Sequence, residues 1–242
     1  MLRRVFMAEI IIYSIAVALE FVFVPLFLKH SWPERTVRSL QMKMICSALF
    51  IICAVCCIHY SGNNSMYMKL LFVGLVLGVL GDLLIHLIAP VYVNILGGVS
   101  FFFGHVMFIA AFSQASPDFN VFGAQTFIIE AVILVCVCIF AKLRKLKLGK
   151  LAFPVFLYAA AISLMLITAT RLGIHLCSQP SANIPSIVIT LMLGALLFVF
   201  SDSSLAIFMF GGEAKSKSLK VFYIVTYYLA QVLLATSILF IK

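Results

Sequence analysis

The chain has 242 residues, of which 64% are hydrophobic and only 10% are charged. A water-soluble globular domain is roughly half apolar and about a quarter charged, so this composition excludes an ordinary soluble enzyme or binding module. The formal net charge of +9 would suggest nucleic-acid binding in a soluble protein. In a chain this apolar it indicates membrane topology instead, and no nucleic-acid partner is expected.

Continuously apolar stretches recur along the chain at about the 20-residue length that a helix needs to cross a bilayer. They predict an all-α fold, a polytopic membrane protein whose residues 1–242 form one integral-membrane domain of about eight helices. The spans are residues 5–28, 39–59, 69–88, 93–114, 121–141, 151–170, 185–210 and 221–241. The connections between them are too short to bury a soluble core of their own.

Lysine and arginine are shared unevenly between the two sides of this arrangement. The connections after spans 1, 5 and 7 hold eleven of them: Lys29, Arg35, Arg38, Lys142, Arg144, Lys145, Lys147, Lys150, Lys215, Lys217 and Lys220. The other side holds five: Arg3, Arg4, Lys69, Arg171 and Lys242. Because basic loops stay in the cytoplasm, this predicts that both termini lie outside or in a lumen. The expected location is the endoplasmic reticulum membrane in a eukaryote or the inner membrane in a bacterium.

The connection after span 2 contains Asn63-Asn64-Ser65, which has the form of a glycosylation sequon. The topology predicted from the charge count places this connection on the lumenal side, where such a sequon is glycosylated. The sequon lies close to the membrane, so it gives the topology little support.

Two aspartates lie deep inside these apolar spans, Asp82 in the third and Asp202 in the seventh. A carboxylate at such depth costs ~2.5–3.5 kcal/mol or more, and it normally faces the bundle interior and serves a function. The alternative for each is a carboxylate paired with a lysine that only holds helices together. Asp82 and Asp202 are therefore the candidate catalytic residues.

Position along the helices predicts that other polar side chains share the layer of the two aspartates. At ~1.5 Å per residue, Asp82 and Asp202 both lie roughly 20–26 Å from the side where their helices begin, in the half of the bilayer that faces the basic connections. Tyr158 reaches the same half. The candidate substrate-binding residues are Lys43, His105, Tyr227, Tyr228, Gln231, Ser201 and Glu20. The sequence thus predicts a polar chamber that opens on the basic side.

Several of these residues also have simpler interpretations. Lys43 would equally extend its ammonium group to the headgroup layer. His105 would equally serve as a hydrogen-bond donor between helices. Three histidines fall within the predicted spans, His59 at the very end of the second span, His86 and His105, and no three ligands show a recognisable zinc-site spacing. No metal and no other cofactor is expected.

Four short blocks follow one another in the sequence: GLVLGVLGDLLI at residues 74–85, FFGH at 102–105 with AAF at 110–112, GALLFVFSD at 194–202 with LA at 205–206, and TYYLAQ at 226–231. Together they resemble the YhhN-type lysoplasmalogenase family, which includes the animal transmembrane lysoplasmalogenases, over residues 40–237. Lys43 looks like the family's lysine early in the second helix, although Met44-Ile45-Cys46 replaces the proline that often follows it. The resemblance implies eight helices.

The resemblance also implies hydrolysis of the vinyl ether bond of lysoplasmalogens, the alkenyl-glycerophosphoethanolamines or -cholines. The products are a fatty aldehyde and glycerophosphoethanolamine or glycerophosphocholine. Such a reaction needs one carboxylic acid to protonate the alkene and one carboxylate to stabilise the oxocarbenium ion and guide water, as in glycoside hydrolysis. Asp82 and Asp202 suit these roles, because two close carboxyl groups in apolar surroundings do not both ionise. The sequence does not say which is the acid.

The expected partners are a lysophospholipid with a vinyl ether chain and the lipid bilayer, and the sequence specifies no oligomeric state. A different class of function uses the same residues. A proton-coupled transporter of lipids or small molecules would also need buried carboxylates together with a lysine and a histidine.

Overall fold

The computed structural model describes residues 2–116, 118–180, 182–212 and 216–241, with side chains from residue 7 onward. Helices make up all of the regular secondary structure of these residues, which confirms the all-α fold class. Eight helices in the described part are long and apolar enough to cross a membrane. They are α1 (Leu2–His30), α2 (Val37–Ser61), α3 (Met66–His86), α4 (Val91–Gln114), α5 (Ala124–Leu143), α6 (Ala152–Cys177), α7 (Ile184–Phe210) and α8 (Lys217–Thr236).

Side-chain caps define the ends of the early helices. Thr36 and Ser39 form a capping box before α2: the Ser39 amide donates to Thr36 Oγ1 at 3.0 Å, and the Thr36 amide donates to Ser39 Oγ at 2.9 Å. Gly62 ends α2 with a left-handed φ of 60°, a conformation that strains residues with a Cβ. Ser65 then caps α3 by accepting from the Met68 amide. These caps fix where α2 and α3 begin, and so the heights of the polar residues they carry.

Glycines bring α3 and α4 close together. A Cβ at Gly104 would lie 3.3 Å from the carbonyl oxygen of Gly74, and a Cβ at Gly97 would lie 2.8 Å from the backbone nitrogen of Ile85. Without side chains at these positions the two backbones approach directly, as small residues allow between membrane helices. This contact sets the position of Asp82 on α3 relative to His105 on α4.

Helix α7 changes its winding along its length. It begins with the α-helical turn Ile184–Ile187, continues as a π-helix over Val188–Leu193 and returns to α-helix over Gly194–Phe210. The π-helical segment packs against α6 and α8. Because a π-helix has more residues per turn than an α-helix, this segment rotates the rest of α7 about its axis. That rotation sets the direction in which Asp202 points.

Helix α8 joins the two halves of the bundle. It packs along α7 and also contacts α1, α2 and α3. Helix α5, in contrast, packs chiefly against α6, and Thr126 and Glu130 are its buried residues. Helix α8 is therefore central in the bundle, and α5 lies at the periphery.

The basic connections lie close together in the fold. The Lys147 amide donates to the carbonyl oxygen of Phe210 at 2.8 Å, which joins the connection after α5 to the end of α7. The Lys220 ammonium donates to the carbonyl of Ser31 in the connection after α1. Lys215 and Lys242, which the charge count included, lie outside the described residues. The sidedness of the bundle stays a prediction.

The Asn63 side chain is buried and hydrogen-bonded within the fold. Its amide donates to the carbonyls of Ile238 and Ile241 at 3.1 and 2.7 Å. A glycan on this nitrogen would break both bonds to the C-terminal segment. These contacts argue against glycosylation of Asn63 in the folded chain, a question that the sequence left open.

Candidate active site

Asp82 has three polar neighbours inside the described part of the bundle. Lys43 Nζ lies 2.9 Å from Asp82 Oδ1. Asp82 Oδ2 accepts hydrogen bonds from Ser47 at 2.7 Å and from Tyr227 at 2.8 Å. One ammonium and two hydroxyl donors from α2 and α8 are the surroundings that stabilise a charged carboxylate away from water.

Helix α8 supports this first cluster with two further side chains. Gln231 is fully buried, and its Nε2 donates to the Tyr227 hydroxyl at 3.0 Å. Tyr228 packs edge-on against Tyr227 with ring centroids 4.9 Å apart, and its hydroxyl donates to the Lys43 carbonyl at 3.4 Å. The structure thus gathers four of the candidate substrate-binding residues around Asp82, namely Lys43, Tyr227, Tyr228 and Gln231. We call these residues with Asp82 and Ser47 the Asp82 cluster.

Asp202 belongs to a second cluster, formed by α4, α6 and α7. Its Oδ2 accepts a hydrogen bond from the Tyr158 hydroxyl and lies 3.3 Å from His105 Nε2. The same His105 nitrogen lies 3.0 Å from the Tyr158 oxygen, and His105 Nδ1 faces the Met165 sulfur at 3.3 Å. We call Asp202, His105 and Tyr158 the Asp202 cluster. It has the parts of a proton relay: a carboxyl group, an imidazole and a phenol.

The two clusters differ in charge and in access. Asp82 has an ammonium partner, whereas the ion-pair partner of Asp202 among the described residues is His105. The side chain of Asp202 is 10% exposed and that of Asp82 is 1% exposed. Asp202 is therefore the carboxyl group that a molecule coming from outside the bundle meets first.

Phe198 lies between the two clusters. Its ring contacts His105 edge-on at a centroid distance of 4.8 Å and Tyr227 at 5.5 Å. Phe101 packs edge-on against the other side of Tyr227, at 5.8 Å. Asp82 and Asp202 make no hydrogen bond to one another in the described structure. The two clusters are linked through Phe198, which contacts one residue of each, and the single polar chamber stays a prediction.

Two candidate residues have other surroundings. Ser201 is buried, but its hydroxyl donates to the Tyr223 carbonyl at 2.9 Å and so ties α7 to α8. Glu20 of α1 is buried; among the described residues its carboxyl oxygens meet the geometric criteria for no hydrogen bond, and the Cys46 thiol lies beside them. Glu20 lies within electrostatic range of Asp82, so α1 presents a third carboxyl group to the Asp82 cluster.

Ser47 and Tyr158 contact the two aspartates but were not among the site residues predicted from the sequence. Ser47 is four residues after Lys43 on α2, a spacing that places both side chains on one helical face. That spacing could have predicted that Ser47 lies beside Lys43. Tyr158 shared the predicted depth of the aspartates, but depth alone does not show which tyrosine faces which carboxyl group. Among residues 2–116, 118–180, 182–212 and 216–241, no three histidine, cysteine or acidic side chains come together that could hold a metal ion.

Comparison with known proteins gives one result at the level of the family. The model of the YhhN family matches residues 39–238, which cover most of the chain. The chain belongs to the YhhN family. The family resemblance seen in the sequence is thereby confirmed. No curated protein and no solved structure matches the chain.

The YhhN match covers both clusters. It begins at Ser39 in the cap of α2 and ends at Ile238, just after α8. The two aspartates and their hydrogen-bond partners therefore lie within the YhhN region of the chain. Glu20 on α1 lies outside it, so the third buried carboxyl group is the part of the site that the family match does not cover.

Proposed function

We propose that this YhhN-family membrane protein is a lysoplasmalogenase, an ether hydrolase. It would convert an alkenyl-glycerophosphoethanolamine or -choline to a fatty aldehyde and glycerophosphoethanolamine or glycerophosphocholine. The observation that carries the proposal is the unequal pair of carboxyl groups. Asp82 lies against the Lys43 ammonium, and Asp202 lies against the His105 imidazole and the Tyr158 phenol. Membership in the YhhN family is consistent with this activity.

In the first step Asp202 acts as the general acid. Its carboxyl proton forms a bond to the outer alkene carbon as the double bond opens, which leaves an oxocarbenium ion next to the ether oxygen. His105 and Tyr158 hold the carboxyl group in position and return a proton to it after each cycle. The alkene lies against Phe198 in this proposal, because that ring is the contact shared by both clusters.

In the second step Asp82 acts on water. Its carboxylate stabilises the oxocarbenium ion and accepts a proton as water adds to the cationic carbon. The resulting hemiacetal then breaks its carbon–oxygen bond to the glycerol. The glycerol oxygen takes the proton from Asp82, and the hemiacetal hydroxyl proton passes through the His105–Tyr158 pair to the Asp202 carboxylate, so the aldehyde and the alcohol leave and both carboxyl groups regain their starting protonation. Lys43 keeps Asp82 charged for this step, since its ammonium lies at ion-pair distance.

The decisive experiment measures free aldehyde from purified protein in neutral detergent, with lysoplasmenylethanolamine as the substrate. We expect turnover without any ion gradient and its loss in Asp202→Asn. Asp118→Asn is the matched control, because Asp118 is an exposed aspartate in the connection after α4. Full turnover in Asp202→Asn would refute the assignment of the acid. A lysolipid with a saturated ether should not react, because it has no alkene carbon to protonate.

The second candidate function is a proton-coupled carrier of a lipid or small molecule. The irregular winding of α7 favours it, since interrupted membrane helices often line transport sites. A carrier would need a sealed vesicle and a gradient, whereas a hydrolase works in detergent. The membrane expected for either function is that of the endoplasmic reticulum in a eukaryote or the inner membrane in a bacterium.

A further inference from the structure

A group of cations that the proposed mechanism does not use lies at the end of the bundle formed by the basic connections. Lys220, near the start of α8, is buried, with 8% of its surface exposed. Its ammonium donates to the Ser31 carbonyl and lies 5.5 Å from the centre of the Trp32 ring. No carboxylate among the described residues forms an ion pair with Lys220. It is a buried positive charge held by a carbonyl and an aromatic ring.

Two more cations lie close to Lys220. Arg35, whose side chain is exposed, donates a hydrogen bond to the carbonyl of Ile85, the residue before His86. The charges of Arg35 and Lys43 act on Lys220 and on His86. We call Arg35, Lys43 and Lys220 the cationic cluster. In the described structure its one ion-paired carboxylate is Asp82, through Lys43. Three like charges against one opposite charge are unfavourable in partly apolar surroundings, and an incoming anion relieves this repulsion.

The cationic cluster adjoins the candidate active site through Lys43. The Phe27 ring lies beside both Lys43 Nζ, at 5.7 Å, and the His86 ring, at 5.2 Å. His86 is fixed in turn by Ser39, whose oxygen is 2.7 Å from His86 Nε2. An anion held at Lys220 and Arg35 therefore lies next to the Lys43–Asp82 pair.

We infer that the cationic cluster binds the phosphate ester of the lysolipid substrate, with Lys220 and Arg35 contacting its oxygens and Lys43 remaining with Asp82. The inference rests on the proposed function. A phosphodiester supplies the negative charge that the cluster lacks, and lysine and arginine are the side chains that bind phosphate best. In the substrate, glycerol separates the phosphate from the vinyl ether by only a few bonds. This short separation suits a phosphate at the cationic cluster and a vinyl ether beside the Lys43–Asp82 pair.

The test compares two substrates that share the alkenyl chain. One is lysoplasmenylethanolamine and the other is alkenylglycerol, which lacks the phosphate. In neutral detergent, Lys220→Met should lower kcat/KM for the phosphate-bearing substrate roughly tenfold or more, mainly through KM. It should leave alkenylglycerol unchanged. Lys220→Arg should restore most of the loss, because it keeps the charge.

Matched controls separate local charge from general effects. Lys29→Met removes an exposed lysine at the end of α1, on the same side of the bundle, and should change neither substrate. Arg35→Gln removes the second charge of the cluster together with the hydrogen bond that Arg35 donates to the Ile85 carbonyl, and Arg38→Gln, at an exposed position three residues further on, is its control. The Arg35 change should act on the phosphate-bearing substrate alone. Equal losses on both substrates in Lys220→Met and in Arg35→Gln would overturn the inference.

Phospholipids of the bilayer carry the same phosphate chemistry, so the source of the anion is tested separately. If Lys220→Met lowers activity only in vesicles that contain anionic phospholipid, and lowers it equally for alkenylglycerol, the cluster holds a bilayer lipid. That outcome overturns assignment to the substrate. A loss in neutral detergent that is confined to the phosphate-bearing substrate supports it.

Binding of an uncleavable lysolipid distinguishes failure of this site from failure of the proposed function. The probe is the counterpart of lysoplasmenylethanolamine that has a saturated ether chain. It is titrated by calorimetry into the wild-type protein and into the Lys220→Met variant. If no alkenyl lipid is cleaved but the wild type binds the probe roughly tenfold tighter than the variant, the phosphate site stands and the lysoplasmalogenase proposal fails. If cleavage occurs but both proteins bind the probe equally, the function stands and the phosphate site is refuted.

Discussion

At the scale of single residues, the two carboxyl groups differ because of what touches them. Asp82 is paired with a buried ammonium, and Asp202 with an imidazole and a phenol. A buried ion pair contributes little when whole, but removal of one partner leaves a bare charge in apolar surroundings. The identity of the neighbours, rather than depth in the membrane, separates the two proposed roles.

The Lys43–Asp82 pair gives the first prediction. Asp82→Asn should abolish aldehyde release and lower the unfolding temperature in detergent, because it leaves Lys43 without a counter-charge at a cost of about 3–5 kcal/mol. The double variant Asp82→Asn with Lys43→Met should regain thermal stability without regaining activity. Recovery of turnover in the double variant would show that Asp82 serves only to balance Lys43.

The Asp202 cluster gives the second prediction. Tyr158→Phe removes one hydroxyl without changing the ring, so the Asp202 carboxyl loses a donor that holds it. Aldehyde release should fall on the order of 100-fold, as loss of a positioned proton-transfer group does. Tyr13→Phe is the control, because the Tyr13 hydroxyl also bonds between helices, at 2.7 Å from Thr236, away from both clusters. Equal losses in both variants would assign Tyr158 a structural role.

At the scale of helices, the glycines of α3 decide how closely α8 approaches Asp82. A Cβ at Gly78 would lie 2.7 Å from Gln231 Nε2, the atom that donates to the Tyr227 hydroxyl. Tyr227 in turn donates to Asp82. The absence of a side chain at Gly78 is therefore part of the proposed site.

This contact gives the third prediction. Gly78→Ala should displace the Gln231 amide, weaken the Tyr227–Asp82 hydrogen bond and lower kcat several-fold. Gly98→Ala is the matched control, since a Cβ there meets nothing within 4 Å. It should keep full activity and gain roughly 0.5–1 kcal/mol of stability from better helix propensity. Aldehyde release and thermal unfolding measured on both variants test the point, and unchanged activity in Gly78→Ala would contradict it.

At the scale of the whole molecule, the fold brings basic connections that are far apart in sequence to one end of the bundle. Lys147 bonds to the end of α7, and Lys220 bonds to the connection after α1. If the positive-inside rule holds, this end faces the cytoplasm. The cationic cluster and the entrance to the candidate site would then face the cytoplasm as well.

The sidedness gives the fourth prediction. Lys145→Cys and Asn64→Cys place single thiols at exposed positions in the connections after α5 and after α2. A membrane-impermeant maleimide should label them from opposite sides of sealed vesicles, measured against the chain without the added cysteine. Labelling of both from the same side would refute the eight-span arrangement.

The fold class and the eight helices could be read from the sequence, which also placed Asp82 and Asp202 inside the third and seventh of them. These properties are local, because apolar length and distance along a helix depend on nothing outside the segment. Lys43 and His105 were found for the same reason, since their distance from the helix start already placed them in the layer of the aspartates.

Which polar residue contacts which aspartate depends on how the helices pack, and this became visible in the three-dimensional structure. Tyr227 reaches Asp82 across 145 positions of sequence, through a helix neighbour that no local pattern specifies. The π-helical segment of α7 was also not predicted from the sequence, although it sets the direction of the side chains that follow it in the helix. Ser201 and Asp202 are adjacent, but successive residues on a helix point about 100° apart. Asp202 can therefore face the site while Ser201 bonds to α8. The rotation of α7 against its neighbouring helices determines which of the two residues faces the site.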